Sequence, residues 1–331
     1  MVGVENKKRS GGSVKSNKRV TELKCMFTNI RSKMNNNKLD ELKHEIEEKE
    51  IDILGIAESW TNENITEGEI KIQGYETFRK DRGDKRGGGV LMYVKEGYTA
   101  VNISDKTKGL CETVWVTVGS GKKDDLVLGV CYRSPAADVL YDENLIEEIE
   151  QFASGRATIM GDFNYGDIDW GTMQADRYSS KNFINRTQDL FLTQHVGEPT
   201  RGNNLLDLVF STEADMVEEL EVRNPVANSD HCTLVWKLVM NIILQVNNRK
   251  KFNYHRGKYE EIISNLKQVN WDAEFNDKDV ESMWATLLAK MNENREKFVP
   301  LAKERKSGGQ VWMRLKIKKN IKRRHKAWKK Y

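Results

Sequence analysis

Between residues 22 and 238 the chain alternates short apolar runs with stretches of helical spacing. The runs ELKCMFTNI (22–30), IDILGIAES (51–59), YETFRK (75–80), GGVLMYV (88–94), TVWVTV (113–118), DLVLGVCY (125–132), ATIMGDFN (157–164), LLDLVFS (205–211), MVEELEV (216–222) and DHCTLVWKL (230–238) predict strands. Each is short and rich in β-branched, leucine or aromatic residues, and IDILGIAES reads as a strand buried on both faces. NKLDELKHEIEEKE (37–50) places Leu39, Leu42 and Ile46 on one helical face, and helices are also predicted over DENLIEEIEQFA (142–153) and SKNFINRTQDLFLTQH (180–195). Many strands with few helices between them point to an α/β fold, a layered β-sandwich flanked by helices, rather than a βαβ repeat. There is no internal repeat of solenoid period. Near residue 240 the pattern changes: GKYEEIISNLKQV (257–269), KDVESMWATLLAKMNENREKFV (278–299) and VWMRLKIKKNIKRRHKAWKKY (311–331) have helical spacing and few strand signals.

This divides the 331 residues into an arm over 1–19, a main domain over 20–240 and a helical, basic C-terminal extension over 241–331. Charge sharpens the division. The net +4 combines +5 on the arm and +12 on residues 303–331 with −13 on residues 20–302. An acidic middle repels a polyanion on average, so a nucleic-acid partner has to be met by local basic loops or by the tails. The arm reads as flexible, solvated charge. Cys25, Cys111, Cys131 and Cys232 are far apart, with no zinc spacing, and read as small core residues in a reducing compartment. No run is long and apolar enough to cross a membrane, and the N-terminus lacks the apolar stretch of a secretion signal. The expectation is a soluble, unsecreted protein without a membrane partner.

Polar residues with chemical capability recur at the ends of the predicted strands. Asn29 follows LKCMFT, Glu58 follows IDILGIA, Tyr132 follows LVLGVC, and Asp162 and Asn164 follow ATIMG. Asp230 and His231 precede CTLVW. Asp207 interrupts LLDLVF, where an unpaired carboxylate costs several kcal/mol; His231 is its candidate partner. Strand ends facing one rim would gather these groups into a single cleft. Singly, each has an ordinary structural reading: an Asx-turn for Asp162 and Asn164, a helix cap for Asn29, a surface carboxylate for Glu58.

In chain order Asn29, Glu58, Tyr132, GDFN, LLDLVFS and SDH form a pattern that resembles the endonuclease/exonuclease/phosphatase superfamily, which includes deoxyribonuclease I and the apurinic/apyrimidinic endonucleases. AESW, DRGDKRGGGVLMYV, VCYRSP and GDFNYGDIDW bring it closer still to the endonuclease region of non-LTR retrotransposon polyproteins, and FNYHRGKYEEI with IKKNIKRRHKAWKKY resembles the connector toward their reverse transcriptase. The resemblance implies a deoxyribonuclease I-like fold over 20–240 and Mg²⁺ chemistry, with Mn²⁺ as the alternative ion. It implies Glu58 as principal metal ligand, with Asn29 beside it and Asp230 contributing. Asp162 would orient and deprotonate the attacking water, with His231 as the alternative base. Asn164 would contact the phosphate or position Asp162. His231 would donate to a non-bridging phosphate oxygen, with Asp207 fixing its tautomer, and Tyr132 would contact the phosphate or assist the leaving group. Two departures stand out. Arg31 occupies the place of a second carboxylate found in repair enzymes, and Arg133 and Ser134 follow Tyr132 where those enzymes carry a phosphate-binding Asn. Both weaken any abasic-site specificity.

The implied function is a nick in DNA that leaves a 3′-hydroxyl for reverse transcription, in the nucleus. Its rivals are a phosphodiesterase or phosphatase acting on a small-molecule or lipid phosphate, and a non-enzymatic nucleic-acid-binding fragment of a decayed element. Arg79, Lys80, Arg82, Lys85 and Arg86, with Arg133 and Ser134, are the candidate DNA contacts, although a solvated hairpin explains the basic loop equally well. Trp312, Leu315 and Trp328 among basic residues suit a packing face, with element RNA and a reverse transcriptase domain as further partners.

Overall fold

The computed structural model describes residues 15–31, 36–83, 87–119, 125–226, 229–247, 252–276 and 278–301. Alternation within the apolar runs explains its layers, because successive side chains of a strand point to opposite faces. One sheet is ordered β11 (Val217–Arg223), β12 (Thr233–Asn247), β1 (Lys15–Asn29), β2 (Ile53–Ala57), β4 (Val90–Lys95) and β3 (Tyr75–Lys80). The other is ordered β5 (Ala100–Asn102), β6 (Glu112–Val118), β7 (Leu126–Tyr132), β8 (Ala157–Asp162), β10 (Asp207–Ser211) and β9 (Thr193–Gln194). Phe27, Ile53 and Met92 of the first sheet share one buried cluster with Val116, Leu128 and Val130 of the second. Their neighbours Met26, Leu54 and Leu91 face the other way, onto Leu39, Leu42 and Ile46 of α1 (Asn36–Lys49). Cys131 and Ile159 likewise join Leu145 and Ile149 of α3 (Val139–Phe152) and Phe183 of α4 (Tyr178–Asp189). The result is a four-layer α/β sandwich. The sheets approach closely at Gly55, where a Cβ would stand 2.7 Å from Met160 Sδ.

Two parallel pairings, β1 with β2 through α1 and β7 with β8 through α3, set the site. Parallel neighbours end at the same edge, so Asn29 pairs with Ala57 and Tyr132 with Asp162. Antiparallel β10 starts there, with Asp207 opposite Asp162.

Several elements differ from expectation. β1 begins at Lys15, so Lys15–Arg19 are strand rather than flexible arm, and residues 1–14 lie outside the described residues. The helix predicted over 180–195 stops at Asp189; Phe191 takes a left-handed φ of 53°, and Thr193 and Gln194 pair with β10 instead. Short β5 carried no pattern, and α2 (Glu67–Ile70) is held by a capping box between Thr66 and Glu69. Cys25, Cys111 and Cys131 are buried and Cys232 is half-buried; all four are free thiols.

Within the described residues, 247–301 belong to a second compact unit, which starts six residues past the expected 241. It holds α5 (Tyr259–Lys267), α6 (Trp271–Phe275) and α7 (Val280–Phe298), with Asn270 and Asp279 as side-chain N-caps. The segment with Trp312, Leu315 and Trp328 lies outside the described residues. Among those residues no helix is long and apolar enough to cross a membrane.

Candidate active site

Seven predicted residues meet at the shared strand edge. Asn29 is fully buried, and its Nδ2 donates to Glu58 Oε1 at 3.1 Å and to Asp162 Oδ2 at 2.8 Å. The Arg31 backbone N–H donates to Asn29 Oδ1 at 2.8 Å, which fixes the orientation of the amide. Asn29 therefore presents its nitrogen to the two carboxylates and holds them together. Glu58 adopts a left-handed φ of 50° immediately after β2, and Trp60 Nε1 donates to its Oε2 at 3.2 Å. Non-glycine residues in that region are uncommon and concentrate at functional sites, where surrounding structure holds them. The two residues that follow Glu58 are pinned to the β3–β4 connection through Ser59 N–H to Gly89 O and Trp60 N–H to Gly88 O.

Asp162 is fully buried at the end of β8. Burial, then the charge of Asp207, raises its pKa well above the usual carboxylate value, while His231 and the Asn29 bond act in the opposite sense. Asn164, at a φ of 53°, donates its backbone N–H to Asp162 Oδ1 at 3.2 Å and its Nδ2 to the Arg133 carbonyl at 2.8 Å. Its side chain locks the turn, and the turn positions Asp162.

His231 and Asp207 form a buried pair, with Nδ1 2.9 Å from Oδ2 and 3.2 Å from Oδ1. Burial works to lower the imidazole pKa, but the bond and charge of Asp207, with Asp162 behind them, raise it above the ordinary value. Asp207 Oδ contacts require the proton on Nδ1, so Nε2 faces away from that carboxylate; it is buried and has no hydrogen-bond partner among the described residues. Donor atoms of Glu58, Asp162 and His231 all lie within 4.8 Å of one another. Carboxylate oxygens at such spacing suit a hard divalent cation, and the orphaned nitrogen suits an anionic oxygen beside it. Burial, followed by the charges of Glu58 and Asp162, pushes the Tyr132 hydroxyl pKa up, so it remains a proton donor in this cluster.

The other described candidates have partners outside this cluster or at its rim. Asp230 is not part of the cation cluster: its Oδ2 accepts from Arg31 Nη1 at 2.7 Å and from Arg201 Nε at 2.9 Å. Arg133 is no DNA contact, because it is buried, bonds Asp142 through Nε and Nη2 at 2.5 and 3.0 Å, and lies 4.1 Å from the Tyr165 ring centroid. Arg79 is likewise committed, to the carbonyls of Ile65 and Asn62 and to the Asp81 carboxylate. Ser134 caps its own turn, accepting from Ala136 N–H at 3.4 Å. Lys80 reaches the Gly109 carbonyl at 3.0 Å and keeps partial exposure. Arg82 bonds Glu112 at 2.6 Å and lies 5.1 Å from the Tyr132 ring centroid, which brings a cation to the tyrosine rather than to open solvent. Lys85 and Arg86 lie outside the described residues. The buried position of Arg133 predicts that Arg133→Ala lowers unfolding free energy by about 3–5 kcal/mol, because Asp142 is left as an uncompensated buried charge. Chemical denaturation measures it, and a stable variant with weakened DNA binding would restore the surface role.

Three contributors are not among the predicted site residues. Ser229 donates to the Asn29 carbonyl at 2.5 Å and accepts from His231 N–H at 3.0 Å, tying two distant loops together. Thr200 accepts from Leu206 and Asp207 N–H through Oγ1, and its carbonyl accepts from Cys232 N–H. Arg201 follows it. The SDH triplet could have drawn attention to Ser229; nothing in EPTRGNN marks Thr200 or Arg201.

Comparison with known proteins agrees with this geometry. The sequence model described as the Endonuclease/Exonuclease/phosphatase family matches residues 26–231, which hold every residue of the cluster. The chain is similar in fold to the endonuclease domain of TRAS1, a telomere-specific non-LTR retrotransposon, at 18% identity and a TM-score of 0.52, covering 66% of this chain and 98% of that one. It is similar also to the AP endonuclease LMAP from Leishmania major, at 15% identity and a TM-score of 0.53, covering 66% and 88%. No curated protein matches the chain.

Proposed function

The chain belongs to the endonuclease/exonuclease/phosphatase family, and from that premise we propose that it is a Mg²⁺-dependent endonuclease that nicks DNA, leaving a 3′-hydroxyl that primes reverse transcription in a non-LTR retrotransposon. One observation carries this reading: a buried imidazole nitrogen without a partner stands in a cluster with two carboxylates, one half-exposed and one buried. Such a group is satisfied when a substrate oxygen arrives.

Glu58, with neighbouring oxygens, would hold the cation, Mg²⁺ or Mn²⁺, which supplies charge neutralisation at the phosphate. Asp162 takes the proton of the attacking water; a carboxylate held above its usual pKa is the stronger base. Asn29 and the Asn164 N–H keep that carboxylate still. His231 donates from Nε2 to a non-bridging phosphate oxygen as charge grows there, with Asp207 stabilising the imidazolium. Tyr132, kept protonated, donates to the phosphate or to the leaving oxygen. On this reading the partners are DNA, element RNA through the basic C-terminal segment, and a reverse transcriptase domain, and the compartment is the nucleus.

Supercoiled plasmid with Mg²⁺ should give open circles whose nicks a polymerase extends, and a chelator should stop it. Intact plasmid in both Mg²⁺ and Mn²⁺, or turnover of a small phosphomonoester faster than nicking, would sink the reading.

A further inference from the structure

Arg31 and Arg201 converge on one carboxylate although 170 residues separate them, and neither belongs to the chemistry described above. Asp230 Oδ2 accepts from Arg31 Nη1 at 2.7 Å and from Arg201 Nε and Nη2 at 2.9 and 2.8 Å. Two guanidinium groups on one carboxylate leave a positive charge uncompensated. The side chains remain accessible, at 50% for Arg31, 34% for Arg201 and 43% for Asp230. As a stabilising device so exposed a bridge is worth little.

Its backbone, by contrast, is fixed to the reactive cluster at three places. Arg31 N–H is bonded to Asn29 Oδ1, Ser229 staples Asn29 to His231, and Thr200 clamps the Arg201 hairpin to Asp207 and Cys232. The arginines are therefore held at the rim beside His231 with their forks pre-organised, in a domain whose overall charge is negative. A planar guanidinium fork matches phosphate oxygens bidentately, and backbone phosphates position a nucleic acid without reading its sequence.

We propose that Arg31 and Arg201, bridged by Asp230, form a metal-independent subsite for a non-scissile backbone phosphate of the nucleic-acid substrate. The subsite rests on the DNA-cleaving reading for its ligand, and it places the strand so that the neighbouring phosphate reaches His231 and Asp162. Charge that a second cation would bring is supplied by the protein.

The test uses the full chain and a fluorescein-labelled DNA duplex, with binding read by anisotropy in chelator over a salt series. R31Q and R201Q are each expected to weaken binding about five- to tenfold near 100 mM salt and to reduce the slope of log K against log salt by about one. R31K and R201K keep the charge and lose the fork, so they should recover the slope but only part of the affinity. In nicking assays with Mg²⁺ the glutamine variants should raise KM by more than they lower kcat. Affinity and slope unchanged in both glutamine variants would overturn the subsite, as would lysine variants whose slope fails to recover. Nicking by the unmodified chain decides the parent reading separately. A chain that binds through these arginines yet never nicks refutes the endonuclease and keeps the subsite; one that nicks while the variants bind normally does the reverse.

Discussion

Asp162→Asn is expected to lower plasmid nicking by about 10²–10⁴-fold, the range that a positioned general base contributes, while raising the melting temperature of the metal-free protein. Both effects come from one cause. Asp162 is fully buried opposite Asp207, and burial together with that charge makes the folded state bind the Asp162 proton more tightly than the unfolded chain does. Stability from this group is therefore fully present below the unfolded carboxylate pKa of about 4 and is lost as pH rises through the raised folded value. Near neutral pH the ionised side chain opposes folding. Asparagine keeps the shape and can accept the Asn29 bond through Oδ1, giving up the weaker 3.2 Å bond from the Asn164 N–H, but it carries no charge and takes no proton from water. Melting in chelator should show the variant ahead of the parent near pH 7.5 and the gap narrowing near pH 4.5. A variant that melts lower at both pH values, or nicks at the parental rate, removes Asp162 from the role of base.

Such a trade between stability and chemistry explains which parts of the molecule the sequence made legible. The central runs at β2, β8 and β10 are buried on both faces, so their composition announced strands, and the seven cluster residues stood out because each borders or interrupts an apolar run. Asp207 was informative for a physical reason: a carboxylate inside LLDLVF needs a partner, and His231 provides it. Arg133 misled for the matching reason. It follows a strand as the catalytic groups do, and its partner Asp142 lies nine residues on, inside α3, where periodicity shows a helix face but not which charge turns inward. Asp230 was misread because its neighbours decide its role. Only the fold brings Arg31 and Arg201 to it, and those pairings span 199 and 29 residues. Helix ends were lost to local backbone effects, as at Phe191, where one left-handed residue hands the next segment to a sheet edge.

The Asp207–His231 pair yields the other large effect. Asp207→Asn should reduce nicking at saturating Mg²⁺ by about 10³-fold or more at neutral pH, the scale seen when a carboxylate that orients a catalytic imidazole is neutralised. The loss has a direction in pH. In the parent, burial lowers the His231 pKa, but the bond and charge of Asp207 outweigh it and raise the pKa above the ordinary imidazole value. Remove the carboxylate and burial prevails, so the imidazolium that donates from Nε2 forms only at lower pH. The alkaline fall in activity should move toward acid in the variant, and the ratio of parental to variant rates should be larger near pH 8.5 than near pH 5.5. Asp207 also raises the Asp162 pKa, so the acid limb of the variant shifts as well, and the alkaline limb is the one that reports the charge on His231. A ratio that stays constant across that range, with the Mg²⁺ requirement unchanged, would show that Asp207 acts on the fold alone and that His231 does not donate a proton to the phosphate.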